Sequence, residues 1–247
     1  MIRPIDPLRG LQGWAEGPLL GFDTETTGVS VASDRIVTAA LVRRSVWEPD
    51  EVHTWLIDPG IEIPESATAI HGITTEHARE FGQQPTTALA EIAHLLAEAF
   101  AAGEPVVAYN AAFDLTILEV ELRRHGLPTL AERLGRAVSP VIDPLVLDRH
   151  LDRFRRGKRK LVDLCAVYGV DDSDGLHTAE VDVIATLHVL QAMVRRHPDL
   201  TQSALTTRTA AQSETPWLSA GTVTSCLLSR DCAAPGGPWT WQAPTGG

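Results

Sequence analysis

Three apolar segments near the start of the chain constrain the fold most. Residues 18–29 begin with an apolar run and end in turn residues, residues 34–42 are rich in Ile, Val and Leu, and residues 51–57 alternate between polar and apolar. Because turn-forming residues separate them, the segments predict an antiparallel meander of three strands. Asp58-Pro59-Gly60 then breaks the pattern.

The pattern after this meander alternates helices with strands. Residues 86–101 place apolar side chains at helical spacing and predict an amphipathic helix. Further helices are predicted over residues 114–125, 144–151, 161–168 and 178–196, with a short one capped by Thr74, and further strands at Val106 to Tyr109 and at Val141-Ile142. A meander followed by alternating helices and strands predicts an α/β fold with a mixed sheet.

The length and the change in composition near residue 200 predict one domain with an appendage. A chain of 247 residues is long enough for one α/β domain with a core, and we expect that domain over residues 1–200. Residues 201–247 hold only four charged residues and are rich in Ser, Thr, Gly and Pro, which predicts a poorly ordered tail. Its three tryptophans could anchor a partner or fold back on the domain, and a frameshifted end would give the same composition.

Three carboxylates occupy positions where a bound cation would stabilise them. Asp23 and Glu25 flank Thr24 near the end of the first strand, and side chains at i and i+2 of a strand point to one face. Two carboxylates that close repel each other unless a cation lies between them. Asp182 lies beside apolar residues, where a metal would offset the cost of burial. Each carboxylate also fits a solvated position, at a strand end or on a helix edge.

Other polar residues are open to two readings. Asp114 can be a ligand or a carboxylate that accepts from free N–H groups at a helix start. His177 precedes the last helix, five residues before Asp182. The turn of residues 26–28 offers N–H groups to a phosphate or a terminal nucleotide. The basic run of residues 153–160 could follow a nucleic-acid backbone or form a solvated loop.

Four short segments occur in one order: FDTETTG from Phe22, IHGIT from Ile70, YNAAFD from Tyr109 and HTAEVD from His177. This combination resembles the DEDDh (DnaQ-like) exonuclease family, which includes the proofreading epsilon subunit of bacterial DNA polymerase III, ribonuclease T and oligoribonuclease. The resemblance covers residues 18–195 and looks closest to the stand-alone epsilon-like branch. It implies a ribonuclease H-like fold, with helices flanking the mixed sheet, for an exonuclease domain within residues 1–200.

The resemblance also implies the chemistry. Asp23, Glu25, Asp114 and Asp182 would bind two Mg²⁺ or Mn²⁺ ions, with Asp23 bridging them and Asp114 acting through water. His177 would be the general base, because it matches the histidine that marks this subfamily. Two such ions can clamp the attacking and leaving oxygens of an in-line displacement, and carboxylates are ligands that suit them. The implied activity is 3′-5′ exonuclease, with nucleoside 5′-monophosphates as products.

Five further residues would contact the terminal nucleotide by the same resemblance: Thr26, Ile70, His71, Asn110 and Phe113. Each could equally be structural. Asp143 resembles a family position that supports the fold near the site, and we do not count it as a ligand.

The motifs leave the nucleic acid open. Single-stranded or frayed 3′ ends of DNA are the favoured substrate, and trimming of RNA or short oligoribonucleotides is the alternative. A weakly catalytic module that binds nucleic acid or a polymerase is a third candidate, but the presence of all five motif residues argues against it. Association with a polymerase stays open, because no docking motif is evident.

Charge and hydropathy limit the partners. A net charge of −11 disfavours a tight grip on long nucleic acid, although cations bound at a carboxylate site would reverse the local charge. Three irregularly spaced cysteines do not predict a disulfide framework or a zinc site. Because no apolar run has membrane-spanning length and the start lacks signal-peptide architecture, we expect a cytoplasmic protein that does not bind membranes.

Overall fold

The computed structural model describes residues 13–15, 17–45, 48–171 and 178–202. Its five strands are β1 (Leu19–Thr26), β2 (Ile36–Arg44), β3 (Glu51–Leu56), β4 (Val106–Val107) and β5 (Val141–Ile142). They form one sheet in the order β3-β2-β1-β4-β5, in which β1, β2 and β3 are antiparallel neighbours and β4 and β5 run parallel to β1. This confirms the predicted meander and the predicted mixed sheet.

The helices in the described residues are α1 (Glu65–His71), α2 (Thr75–Phe81), α3 (Pro85–Ala102), α4 (Ala111–Arg124), α5 (Leu130–Leu134), α6 (Pro144–Leu151), α7 (Leu161–Tyr168) and α8 (Ala179–Arg196). The longer ones agree with the predicted helices to within a few residues. Thr74 caps α2 as predicted, because its hydroxyl accepts from the backbone N–H of His77. The sequence did not predict α1 and α5, which are too short to display a helical period.

Strand β1 is buried on both faces, because consecutive side chains of a strand point to opposite sides. Leu20 and Phe22 pack into a core with residues of α3 and α4. Leu19 packs into a second core with residues of α7 and α8. The end of β1 therefore lies between two layers of helices, each of which can bring a side chain to it.

Gly21 lets α8 lie directly on β1. A Cβ atom at Gly21 would stand 2.4 Å from Cγ1 of Val183, closer than two non-bonded carbon atoms approach in proteins. The helix can occupy this position only because the strand has no side chain there. Since Asp182 precedes Val183 in the chain, this contact brings Asp182 towards the end of β1.

Two 3₁₀ turns, Gly13–Ala15 and Pro198–Gln202, meet where Nε1 of Trp14 donates to the carbonyl of Leu200 at 3.2 Å. The predicted poorly ordered tail falls beyond residue 202, outside the described residues, and the extent of the predicted domain stays a prediction. Among the described helices, none has the length and apolar character needed to cross a lipid bilayer.

Candidate active site

Asp23 and Glu25 project from β1 on the face covered by α8, as their two-residue spacing predicts. They continue the row that Leu19 and Gly21 begin. The pairing of β1 with β2 shifts register between Glu25 and Thr26, so the regular ladder ends directly after the second carboxylate. Both side chains are half-buried.

Asp182 reaches this pair from the first turns of α8. Thr178 caps the start of the helix, and its hydroxyl accepts from the backbone N–H of Val181 at 3.4 Å. Carboxylate oxygens of Asp23, Glu25 and Asp182 lie within 4.8 Å of one another, close enough for one cation to contact all three. The structure thus brings together three of the four predicted ligands from segments far apart in the chain.

Asp114 approaches from the opposite face of β1 and lies beside this trio. Its side chain is 3% exposed, and its Oδ1 accepts two hydrogen bonds from Thr24, from the backbone N–H at 3.1 Å and from the hydroxyl at 2.7 Å. Thr24 stands between Asp23 and Glu25, so one strand residue orients the carboxylate of α4. No pattern in the sequence indicated this role of Thr24.

Three of the four carboxyl groups have a raised proton affinity. Burial raises the pKa of Asp23 well above its usual value, and the negative charges of Asp114, Asp182 and Glu25 raise it further. Burial, with the charge of Asp182, raises the pKa of Glu25 to about 7. Burial raises the pKa of Asp114 to about 7 although the hydrogen bonds from Thr24 oppose the shift. A bound cation would remove this repulsion.

The donor set fits a divalent metal. Oxygen ligands from carboxylates suit Mg²⁺ and Mn²⁺, whereas a zinc site would be expected to include His or Cys. The clustering of acidic side chains in a partly buried place is costly unless positive charge compensates it. Metal binding is therefore the physical explanation that the arrangement favours.

The predicted base, His177, lies outside the described residues, which resume at Thr178. Its role therefore stays a prediction from the motif alone.

The five predicted nucleotide contacts have different surroundings. Ile70 is 59% exposed, and Asn110 is exposed with a left-handed backbone at φ 60°. Phe113 is half-buried and packs against the core that holds α3 and α4. Thr26 is also half-buried, and its hydroxyl donates to the carbonyl of Gly28 at 2.6 Å, which tightens the turn after β1.

His71 is buried, unlike its neighbour Ile70. Its Nδ1 accepts from the backbone N–H of Ile73 at 3.1 Å, so the ring holds the turn between α1 and α2. Burial lowers the pKa of His71, while an interaction with the backbone of Thr26 opposes the shift. Both findings favour a positioning role for His71 over direct contact with a base.

Asp143 organises the segment that carries Asp114. Its carboxylate accepts from the backbone N–H groups of Asn110 and Ala111, each at 3.1 Å, and from that of Leu145 at 2.9 Å. Asp143 thus caps α6 and also supports the start of α4. This geometry fits the supporting position that the motif comparison assigned to Asp143.

A mixed sheet between two helical layers, with an acidic cluster at the end of its central strand, is the ribonuclease H-like architecture that the sequence predicts. The profile of the RNase T exonuclease family matches residues 20–190. The chain belongs to this family.

Two relatives from DNA replication are similar in sequence. A DNA polymerase III subunit epsilon-like protein of Rhodobacter capsulatus is 35% identical over 217 residues, covering 83% of this chain and 28% of that protein. A DNA polymerase III PolC-type protein of Streptococcus thermophilus is 31% identical over 181 residues, covering 73% of this chain and 11% of that protein. The chain therefore spans only a small part of these relatives.

Solved structures of exonuclease I share the fold. E. coli exonuclease I in complex with a dT13 oligonucleotide superposes with a TM-score of 0.62 at 23% identity, over 75% of this chain and 43% of that chain. Exonuclease I from Methylocaldum szegediense gives a TM-score of 0.62 at 24% identity, over 75% of this chain and 42% of that chain.

Proposed function

We propose that the chain is a metal-dependent 3′-5′ exonuclease that acts on DNA and releases nucleoside 5′-monophosphates. The observation that carries the proposal is the convergence of Asp23, Glu25 and Asp182 within 4.8 Å at the end of the central strand, in a member of an exonuclease family. Direction, substrate and mechanism follow from the motif resemblance.

The four carboxylates divide into two groups in this mechanism. Asp23, Glu25 and Asp182 would hold the metal directly, and Asp114, oriented by Thr24, would complete a two-ion site. Bound Mg²⁺ or Mn²⁺ would polarise the scissile phosphate and neutralise charge that develops on it. The carboxylates therefore bind and orient, and they do not need to carry a proton themselves.

We assign proton removal to His177. An imidazole nitrogen titrates near neutral pH and can accept the proton of the attacking water. Replacement of His177 by Ala should lower the rate by about 10²–10⁴-fold, as expected for a general base.

DNA is the substrate that the comparisons favour. The relatives carry the names of DNA polymerase III components, and the exonuclease I structure was solved with a dT13 oligonucleotide. A role in repair or proofreading would follow, and a cytoplasmic location stays a prediction. RNA is the second candidate, because the motifs do not separate the two sugars.

A labelled-oligonucleotide assay tests the proposal. DNA and RNA 20-mers labelled at either end are incubated with Mg²⁺, with Mn²⁺ or with EDTA. We expect metal-dependent release of mononucleotides from the 3′ end, with a loss of at least about 100-fold in Asp182→Asn. Glu98→Gln, at an exposed carboxylate of α3, is the matched control and should stay within about 2-fold.

Two results would contradict the proposal. Activity that persists in EDTA would show that cleavage does not require a metal. Full activity in Asp182→Asn would show that the acidic cluster is not the active site. If the RNA 20-mer is degraded faster than the DNA 20-mer, RNA and not DNA is the preferred substrate.

A further inference from the structure

Residues 152–160, between α6 and α7, form a surface that we call the basic loop. It holds the only two lysines of the chain, Lys158 and Lys160, together with four arginines. A chain with a net charge of −11 thus concentrates 6 of its 21 lysines and arginines in one short segment. This concentration of positive charge needs a physical explanation.

Two of the cations hold the loop in place. Arg155 and Arg159 both form ion pairs with the carboxylate of Asp148, which is completely buried in α6. The hydroxyl of Tyr168 in α7 donates to the same carboxylate at 3.1 Å. Breaking an ion pair with a buried carboxylate is costly, because it leaves an uncompensated charge in the interior. The two arginines therefore hold the backbone of the loop in one position.

The other four cations of the loop are not part of this anchor. Arg153, Arg156, Lys158 and Lys160 are exposed, and none forms an ion pair with a residue in the described part of the chain. Phe154 is 87% exposed, with the guanidinium of Arg153 at 5.9 Å from its ring centroid. Cations around an exposed aromatic ring are the combination that binds single-stranded nucleic acid.

The basic loop is tied to the same sheet edge as the acidic cluster. The hydroxyl of Tyr109 donates to the carbonyl of Arg159 at 2.6 Å. Strand β4 runs parallel to β1 with Val107 opposite Gly21, so Tyr109 and Asp23 each follow this pair by two residues, at the same end of the sheet. A strand whose 3′ end enters the acidic cluster would therefore find this positive surface close by.

We propose that the basic loop binds the sugar-phosphate backbone of single-stranded nucleic acid upstream of its 3′-terminal nucleotide, with Phe154 stacking on a base. This inference rests on the proposed function. Arg153, Arg156 and Lys158 contact phosphates, while Arg155 and Arg159 serve as structural anchors. The loop thereby offsets the repulsion between an acidic protein and its polyanionic substrate.

A binding measurement tests the loop without relying on turnover. A 20-mer of thymidylate is titrated by fluorescence anisotropy at several salt concentrations, in an Asp182→Asn background. Replacing Arg156 and Lys158 by Gln should weaken binding by about 10-fold and reduce the log-log salt slope by about 1.4, since each phosphate contact on a single strand contributes about 0.7. The control is the double variant Arg133→Gln with Arg195→Gln, in α5 and α8, which loses the same two positive charges outside the loop. Its salt slope should equal that of the protein without these changes.

The two lysines give an independent readout. Acetylation by an N-hydroxysuccinimide ester, followed by mass spectrometry, labels only this loop and the chain's N-terminal amine. The 20-mer should protect Lys158 severalfold. Unchanged labelling, or an unchanged salt slope in the double variant, would overturn the proposal.

A substrate pair separates failure of this inference from failure of the proposed function. The p-nitrophenyl ester of thymidine 5′-monophosphate has no upstream phosphates, so its hydrolysis measures the acidic cluster. We expect the rate on the 20-mer relative to the ester to fall about 10-fold in the double variant. If wild-type protein cleaves both substrates and this ratio is unchanged, only the loop inference fails; if it cleaves neither, the proposed function fails while the binding measurement still stands.

Discussion

The hydroxyl of Thr24 donates to Oδ1 of Asp114 across the edge of the sheet at 2.7 Å, and the backbone N–H of Thr24 donates to the same oxygen at 3.1 Å. One residue of β1 thus fixes a carboxylate of α4 while its neighbours, Asp23 and Glu25, face α8. The two helical layers meet the strand at this point, and each supplies acidic groups to one end of it.

Thr24→Val tests this link. Valine keeps the shape of threonine but leaves the buried Asp114 carboxylate with one donor fewer, which should cost about 1–3 kcal/mol of unfolding free energy and lower the cleavage rate about 10-fold. Because the lost hydrogen bond lowers the pKa of Asp114, that pKa should rise. Thr24→Ser restores the donor and should recover most of the rate; equal rates for Val and Ser would contradict the link.

Gly21→Ala tests whether the contact between α8 and β1 places Asp182. The added methyl group would stand 2.4 Å from Cγ1 of Val183, so the helix must shift. We expect a loss of about 1–3 kcal/mol in unfolding free energy, and a rate reduced by about 10-fold or more, because small displacements of catalytic groups are costly.

The controls for this variant come from the same region. Gly17→Ala meets only an ordinary contact at 3.6 Å with the carbonyl of Trp14, and should change neither quantity. Val183→Ala should partly restore the rate in the Gly21→Ala protein, since it removes the clashing methyl group. A fully active Gly21→Ala protein would show that Asp182 is placed by something else.

The metal-free protein should lose stability as pH rises. Asp23, Glu25 and Asp114 have raised pKa values in the folded state, so the folded state binds more protons than the unfolded state between about pH 4 and 7. Stability from these groups is complete at the acidic end of that window and falls towards neutral pH. In EDTA, the Tm should drop by several degrees between pH 5 and 8.

Asp182→Asn provides the comparison. Its charge raises the pKa values of Asp23 and Glu25, so the amide should flatten the pH dependence and raise the Tm of the metal-free protein at pH 8. Mg²⁺ should stabilise the wild-type protein most at pH 8, where the carboxylates are ionised. A wild-type Tm that rises more steeply with pH in EDTA than that of the variant would refute this explanation.

The sequence predicted those parts of the site that depend on the spacing of neighbouring residues. Alternation along a strand is enough to place Asp23 and Glu25 on one face. The contact between Thr24 and Asp114, by contrast, joins residues 90 positions apart, and the approach of Asp182 depends on the missing side chain of Gly21. The anchoring of two arginines by Asp148 is likewise tertiary, and the sequence alone did not predict it.

Asp143→Asn should destabilise the protein, in contrast to Asp182→Asn. Asp143 accepts from three backbone N–H groups, and an amide presents N–H to at least one of those donors. The expected cost is about 1–3 kcal/mol of unfolding free energy, measured by urea denaturation in EDTA. If the change in unfolding free energy at pH 8 has opposite signs in the two variants, Asp143 is a structural carboxylate and Asp182 a metal-binding one. Changes of equal sign would remove that distinction.

Ile70 and His71 are adjacent in sequence, but the structure gives them different roles. Ile70 is exposed, so Ile70→Ala should change the free energy of unfolding by less than about 0.5 kcal/mol. If its side chain contacts the terminal nucleotide, KM should rise severalfold. His71→Ala removes the acceptor for the N–H of Ile73 and should cost about 1–3 kcal/mol. Phe81→Ala, which truncates an equally exposed apolar side chain on α2, should leave KM unchanged. A KM that rises equally in Ile70→Ala and Phe81→Ala would show that general surface apolarity, and not a nucleotide contact at Ile70, governs substrate binding.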